Sequence, residues 1–247
     1  MDNGHLATSL VKNERLHPLP WQWGYLVLRA ILRDLKKFAL LADSDGARTL
    51  LDLGCGRRPY QQLFSFFEKY IGFDIDKSDL VDVVGVNWDL PFLDNEFDVV
   101  ICTQVLEHTA KISETVSEIR RVVKDGGLVF VSTPLVFPEH GAPYDYYRFT
   151  QYGLREIFRD FEIVEIIPQG GFFNTFFRMI NIFLNYFPAS RIIFAPIFLL
   201  NNLAALFFDG IAFFISKMNG RMKVVYQGIY MSMPENYSII LRNRKPS

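Results

Sequence analysis

LDLGCG, Leu51–Gly56, followed by IGFDID, Ile71–Asp76, decides the fold of this 247-residue chain. The first is the end of an apolar run that delivers two glycines to a tight turn. Without side chains, Gly54 and Gly56 let backbone N–H groups approach a bound group closely. Asp52 places a carboxylate at the end of that apolar strand, where burial is costly unless a partner is present. A cationic or hydrogen-bond-donating ligand is one such partner. A dinucleotide fingerprint needs a third glycine three residues on, and Pro59 stands there instead. A pyrophosphate ligand, and with it a nicotinamide-binding oxidoreductase, is therefore disfavoured. Asp74 lies at the tip of the second apolar run, 18 residues after Gly56. A carboxylate there accepts both hydroxyls of a ribose; taken alone it would be a strand-end helix cap.

Outward from these two stretches, short apolar runs alternate with helical segments. YIGFD, VDVVGV, FDVVICT (Phe97–Thr103), LVFVST (Leu128–Thr133), FEIVEII and Tyr237–Leu241 follow TLLDL as strands. QQLFSFFEK, SETVSEIRRVVK and a segment from Thr150 are predicted helices, the second stopped by Asp125-Gly126-Gly127. Continuous apolar strands separated by helices predict an α/β fold with a mostly parallel seven-stranded sheet covered on both faces. Ligands of such sheets bind beyond the carboxyl ends of the strands. The loops after Leu53, Asp74, Thr103 and Thr133 should face one crevice.

Composition narrows the function. Half the residues are hydrophobic and 21% are charged, so a large core is expected and wholesale disorder is excluded. A net charge of −1 gives no field for nucleic-acid binding. Cys55 and Cys102 make no disulfide framework, and with four scattered histidines they show no zinc spacing, so no metal is expected. A reducing, cytoplasmic setting fits, and the polar first 20 residues lack the apolar core of a secretory signal. Gly24–Ala42 is an amphipathic helix with Arg29, Arg33, Lys36 and Lys37 on its polar side. That side is a solvated face or a contact with anionic membrane.

Of the 24 phenylalanines, 12 fall between Phe172 and Ser216, a stretch with only Arg178, Arg191 and Asp209 as charges. It lies between the sixth and seventh strands. Its longest uncharged run, Ile192–Phe208, is shorter than the roughly 20 residues a spanning helix needs. A single crossing would also part strand seven from its sheet. Two or three apolar helices are expected, broken near Pro188 and Asp209-Gly210. They would serve as a lid, a dimer face or a membrane-interface contact through 172–216, the last favoured because so few polar positions remain to cover a solvated face.

LDLGCG, IGFDID, DLPFLDNEFDVVICTQVLEH and RRVVKDGGLVFVSTP, in this order and spacing, resemble a class I S-adenosylmethionine-dependent methyltransferase of the broad type 11 group. The resemblance covers roughly residues 49–167. It implies a Rossmann-like sheet and S-adenosyl-L-methionine as cofactor. Asp52, Gly54, Cys55 and Gly56 would cradle the methionine part and Asp74 the ribose. Ile75 would pack on the adenine, and Gln104 would lie near the sulfonium. Asn87 is the nearest amide for the adenine edge, with Asp89 adjacent. Arg58 replaces the third glycine of the common turn, pointing to solvent or to the cofactor carboxylate. Glu107-His108 puts a histidine at the mouth of the sheet, where it could be a general base; the pair is common at this place in the group whatever the substrate, which favours a structural or cofactor-shaping role. PEHGAPYDYYRFT, Pro138–Thr150, resembles an HGxPxDYYRFT segment of a bacterial subset, some of it near glycan-assembly enzymes. It supplies His140 as candidate base, Asp145 to orient it or to pair with Arg148, and Tyr144 beside them.

The expected organisation is an N-terminal arm and amphipathic helix (1–48), a cofactor-binding core (49–169), an apolar helical insertion (170–234) and a returning strand (235–247). The expected function is methyl transfer to a small-molecule or lipid-linked acceptor, by a cytoplasmic protein peripheral to the inner face of the membrane. The alternative is an inactive membrane-associated interaction protein that keeps the fold.

Overall fold

The computed structural model describes residues 14–187, 190–218 and 220–244. The first 13 residues of the expected arm, the last three residues and the expected helix break at Pro188 lie outside them. The elements run α1 (Tyr25–Ser44), β1 (Thr49–Leu53), β2 (Lys69–Asp74), β3 (Val83–Val84), β4 (Phe97–Thr103), α2 (Ile112–Val122) and β5 (Val123–Pro134). Then follow α3 (Gln151–Ile157), β6 (Glu162–Gln169), α4 (Phe172–Asn185), α5 (Ser190–Ile193), α6 (Ala195–Met218), α7 (Gly220–Ser232) and β7 (Asn236–Arg242).

One seven-stranded sheet has the order β3-β2-β1-β4-β5-β7-β6. All neighbours are parallel except β7, which runs antiparallel to both β5 and β6. The strand order reverses between β1 and β4, so the carboxyl ends of these two strands open the crevice expected at a switch point. Leu50, Val99, Ile101 and Phe130 pack on one face of the sheet with Leu35 and Phe38 of α1. Leu51, Leu53, Val100 and Val129 pack on the other with Ile119 of α2 and Leu154 of α3. Successive residues of a strand alternate between these two cores, which is why the central strands read as unbroken apolar runs.

Three local expectations need correction. QQLFSFFEK forms only a short 3-10 turn over Gln61–Phe64. The glycines at 126 and 127 do not cap α2. The chain is already extended at Val123, and the last turn of the helix is held by Asn243, whose Nδ2 donates to the carbonyls of Arg120 (3.1 Å) and Val123 (2.9 Å). Gly126, at φ +77°, instead serves an irregularity in β5 where its register against β4 shifts. Asp209-Gly210 does not break the insertion either, because α6 runs through it for 24 residues. Asp209 caps a neighbour: its Oδ2 accepts the amide protons of Gly171 (3.2 Å) and Asn174 (3.3 Å) at the start of α4.

Asp98 fixes the entrance to the sheet. Its Oδ2 accepts the amides of Arg48 and Thr49, each at 2.9 Å, and Lys124 Nζ lies 2.6 Å from Oδ1. Burial pushes this carboxyl upward, but Lys124 and the two amides outweigh it and hold it at about 2. A carboxyl depressed by folding stabilises the protein fully above its unfolded value near 4, and that contribution is lost as the pH falls through 2. Asp98→Asn should therefore cost about 2 kcal/mol at neutral pH, and the difference from the parent should shrink toward pH 2 in urea-melt series.

Candidate active site

The turn after β1 is built as the sequence requires. Gly54 and Gly56 have φ of +72° and +50°, and Arg58 also takes a left-handed conformation at +50°. A Cβ on Gly54 would stand 2.3 Å from Val105 Cγ2, whereas one on Gly56 would meet nothing within 4 Å. The two glycines thus differ: Gly54 lets the turn pack on the loop after β4, whereas Gly56 is required only by its left-handed backbone. Gly54→Ala should lower stability by about 2–4 kcal/mol, from left-handed strain plus overpacking. Pairing it with Val105→Ala should recover the packing part, as read by thermal melts.

Asp74 ends β2 and faces the same turn. Its Oδ2 accepts the amide of Gly56 (2.8 Å) and its Oδ1 that of Asp76 (3.0 Å). A cavity of about 230 Å³ opens here, lined by Gly54, Asp74, Ile75, Asn87 and Gln104. Trp88, Val105, His108 and Thr109 complete its wall. Asn87 Nδ2 donates to Thr109 Oγ1 (3.3 Å), which orients the amide. Gln104, left-handed at φ +57°, is held by its amide on Ser132 O (2.8 Å) and its Nε2 on Ser132 Oγ (3.2 Å).

Asp52, Cys55 and Gly56 do not line this cavity. Asp52 is buried, accepts the hydroxyl proton of Tyr70, and is raised by burial to about 7. Its partner is thus within the protein. Burial likewise pushes the Cys55 thiol up to about 12, so it is an inert packing group. Arg58 points to neither solvent nor the cavity. It pairs with Asp82, lies 5.6 Å from the centre of the Tyr70 ring, and covers Gly72, where a Cβ would sit 2.5 Å from its Nε.

A second cavity, of about 600 Å³, adjoins the first, and Gln104 and His108 line both. Trp21 and Trp23 contribute to its wall from the segment before α1, Phe137 and His140 from the loop after β5, and Arg178 from α4. The roof is tied down by the insertion. Asn202 Nδ2 donates to Pro20 O (2.7 Å) and Gln22 O (3.0 Å). Arg178, 2% exposed, pairs with Glu235 at 2.9 Å, donates to Trp23 O at 2.9 Å, and lies 4.3 Å from the Trp23 ring centre. Neither tryptophan stood out in the sequence.

The loop after β5 brings together the three residues expected for catalysis but gives them unlike places. His140 faces the larger cavity, and burial draws its imidazole below the ordinary value. Asp145 is turned into the loop. Arg148 grips it through both oxygens (2.6 and 2.7 Å), it accepts the His140 amide (2.9 Å), and it is held well below the usual carboxylate range. It braces the loop. Tyr144 is 63% exposed, and only its carbonyl takes part, 2.6 Å from His108 Nδ1.

Residues 25–174, more than half of the chain, match the family of methyltransferase domains. The chain belongs to that family. Over 105 residues it is 34% identical to the Mycolicibacterium smegmatis protein named "Probable S-adenosylmethionine-dependent methyltransferase", covering 38% of this chain and 41% of that protein's length. In fold it is similar to a SAM-dependent methyltransferase from Archaeoglobus fulgidus (TM-score 0.54, 15% identity, 95% of this chain and 99% of the other). It is also similar to the [4+2]-cyclase SpnF (TM-score 0.52, 19% identity, 87% and 83%).

S-adenosylmethionine, the cofactor the sequence motifs imply, would supply an electrophilic methyl group on a sulfonium. The residues present fit it. Asp74 would accept from a ribose diol, Asn87 would offer an amide to an adenine edge, and Gly54 brings the backbone of the turn to the cavity wall. Gln104 lies between this cavity and the larger one, where an acceptor could be positioned and shielded from water.

Proposed function

We propose that this methyltransferase acts on a lipid-linked or otherwise membrane-presented small molecule, such as a glycan intermediate, held in the 600 Å³ cavity. The observation that carries this is the construction of the roof. The same α4 and α6 that fix Trp23, Pro20 and Gln22 over the cavity present an apolar outer face. Phe183 of α4 and Leu200, Phe207 and Phe214 of α6 are each more than 60% exposed, as is Ile192 of the short α5 between them.

Ala195–Lys217 is long and apolar enough to cross a membrane, yet only 17% of its apolar window is buried. The insertion nevertheless leaves from β6 and returns to β7, two hydrogen-bonded neighbours. With 14 residues in α4 and 13 in α7, neither companion helix reaches the roughly 30 Å of a hydrocarbon core at about 1.5 Å per residue. A helical layer lying in the interface satisfies both facts, with the cavity mouth next to the lipid. Two tryptophans beside Gln104 and Asn236 suit a sugar-like head group, with apolar ring faces and amides for hydroxyls. His140 faces that cavity and is the candidate base for a hydroxyl acceptor.

The test is transfer from methyl-labelled S-adenosylmethionine to separated membrane-lipid and aqueous fractions of host cells. Label should enter the lipid fraction, at a rate reduced by about 100-fold or more in His140→Ala. Label found solely in water-soluble products would rule the proposal out.

A further inference from the structure

His108 and His140 come from loops that follow different strands, and their Nε2 atoms stand 3.1 Å apart. The tautomers follow from the other nitrogens. His108 Nδ1 is 2.6 Å from the Tyr144 carbonyl, which can only accept, so this nitrogen carries a proton. His140 Nδ1 faces Pro138 O at 3.2 Å and Asp145 Oδ2 at 3.4 Å, both acceptors. Arg148 Nη2, at 3.4 Å, has no hydrogen to spare, because its two are directed at Pro138 O (2.9 Å) and Asp145 Oδ2 (2.7 Å). With both rings neutral, their protons sit on Nδ1 and two bare Nε2 lone pairs face each other. Beside them Glu107 is fully buried, and its Oε1 accepts no hydrogen bond from another residue. The ligand atoms of the three side chains lie within 4.8 Å of one another.

Two imidazole lone pairs and an orphaned carboxylate oxygen, with no donor among them, call for a cation. We infer that Glu107, His108 and His140 bind one divalent transition-metal ion, of the zinc or ferrous type, in the wall between the two cavities. Two imidazoles at the usual 2.0–2.1 Å from a tetrahedral ion stand roughly 3.3 Å apart, close to the spacing here. Each ring also directs its other N–H at a backbone carbonyl, the usual support of a metal-bound histidine. Imidazole ligands favour a transition metal over magnesium or calcium, which take oxygen. The spacing rules that excluded zinc in the sequence count cysteines and histidines along the chain; this trio is assembled from two distant loops.

His108 lines both cavities and His140 the larger. An acceptor hydroxyl bound to the ion there would lose its proton to solvent more readily, and the ion would then take over from His140 as the activating group, because a metal-bound imidazole has no lone pair left to act as base. The oxygen–methyl bond then forms as the sulfur–methyl bond breaks, and the metal keeps its oxidation state. This role rests on the acceptor proposed above; the binding site does not.

The test uses the tag-free full chain, stripped with chelator and titrated with Zn²⁺ against a chromophoric competitor, and with Co²⁺ followed by visible absorption. One equivalent should bind, with a Co²⁺ ligand-field spectrum. Affinity should fall on the order of 100-fold in His108→Ala and His140→Ala and at least about 10-fold in Glu107→Gln. S-adenosylhomocysteine binding should persist in the stripped chain, which separates failure here from failure of the cofactor site. No stoichiometric uptake, or His140→Ala binding Zn²⁺ like the parent, overturns the inference. So does a low-field imidazole proton resonance that survives excess Zn²⁺, since a shared proton would then fill the place of the ion. If the variants at 107 and 108 do not fold, His140→Ala decides alone, its side chain being 35% exposed on a loop.

Discussion

Asp74→Ala should weaken binding of S-adenosylhomocysteine by about 30- to 1000-fold in a calorimetric titration. The carboxylate is the charged acceptor on the wall of the smaller cavity, and charge-assisted hydrogen bonds to two ribose hydroxyls are worth about 2–4 kcal/mol together after the exchange with water. Part of the loss will come through the turn, because Asp74 also receives the Gly56 amide at 2.8 Å. Asp74→Asn keeps one acceptor oxygen for the turn and should fall between the two. A thermal melt separates loss of affinity from loss of fold. Affinity within twofold of the parent would mean that the ribose is held elsewhere.

The largest effect is expected at the membrane. Leu200, Leu203, Phe207 and Phe214 are 66%, 52%, 62% and 65% exposed, and their spacing sets them along one side of α6. Replacing all four by serine removes apolar surface worth on the order of 1 kcal/mol per residue on entering the interface. Partitioning to phosphatidylglycerol-containing vesicles should fall by about three orders of magnitude, read by flotation. Melting should change little, because the side chains face outward. Equal flotation of both proteins would leave the apolar face to another use.

Much of the fold was legible because parallel strands buried on both faces leave long apolar runs, and because the two-glycine turn and the acid at the end of β2 are local features. Gly54, Asp74, Ile75, Asn87 and Gln104 gather as their positions implied. What was not legible depends on distant partners. Asp209 looked like a helix break, but it caps α4 from the middle of α6. Nothing local shows what Asn201 and Asn202 do: Asn201 donates to Asn181 Oδ1 (2.8 Å), while Asn202 accepts from Asn181 Nδ2 (3.0 Å) and reaches the segment before α1. Arg178, one of the three charges in the Phe-rich stretch, is the buried anchor of Trp23. Arg178, Asn181 and Asn202 face inward because they assemble the roof of the larger cavity. The outer side of α4 and of α6 as far as Ile215 is left to carbon, while Lys217, Arg221, Lys223 and Gln227 beyond it are exposed.

The central claim is that the turn after β1 and the acid ending β2 form a nucleoside pocket. Calorimetric titration of the unmodified chain with S-adenosylhomocysteine, alongside NADH, tests it most directly. One equivalent of S-adenosylhomocysteine should bind with measurable heat, and NADH should give none. A chain that takes up NADH, or neither compound, would contradict it.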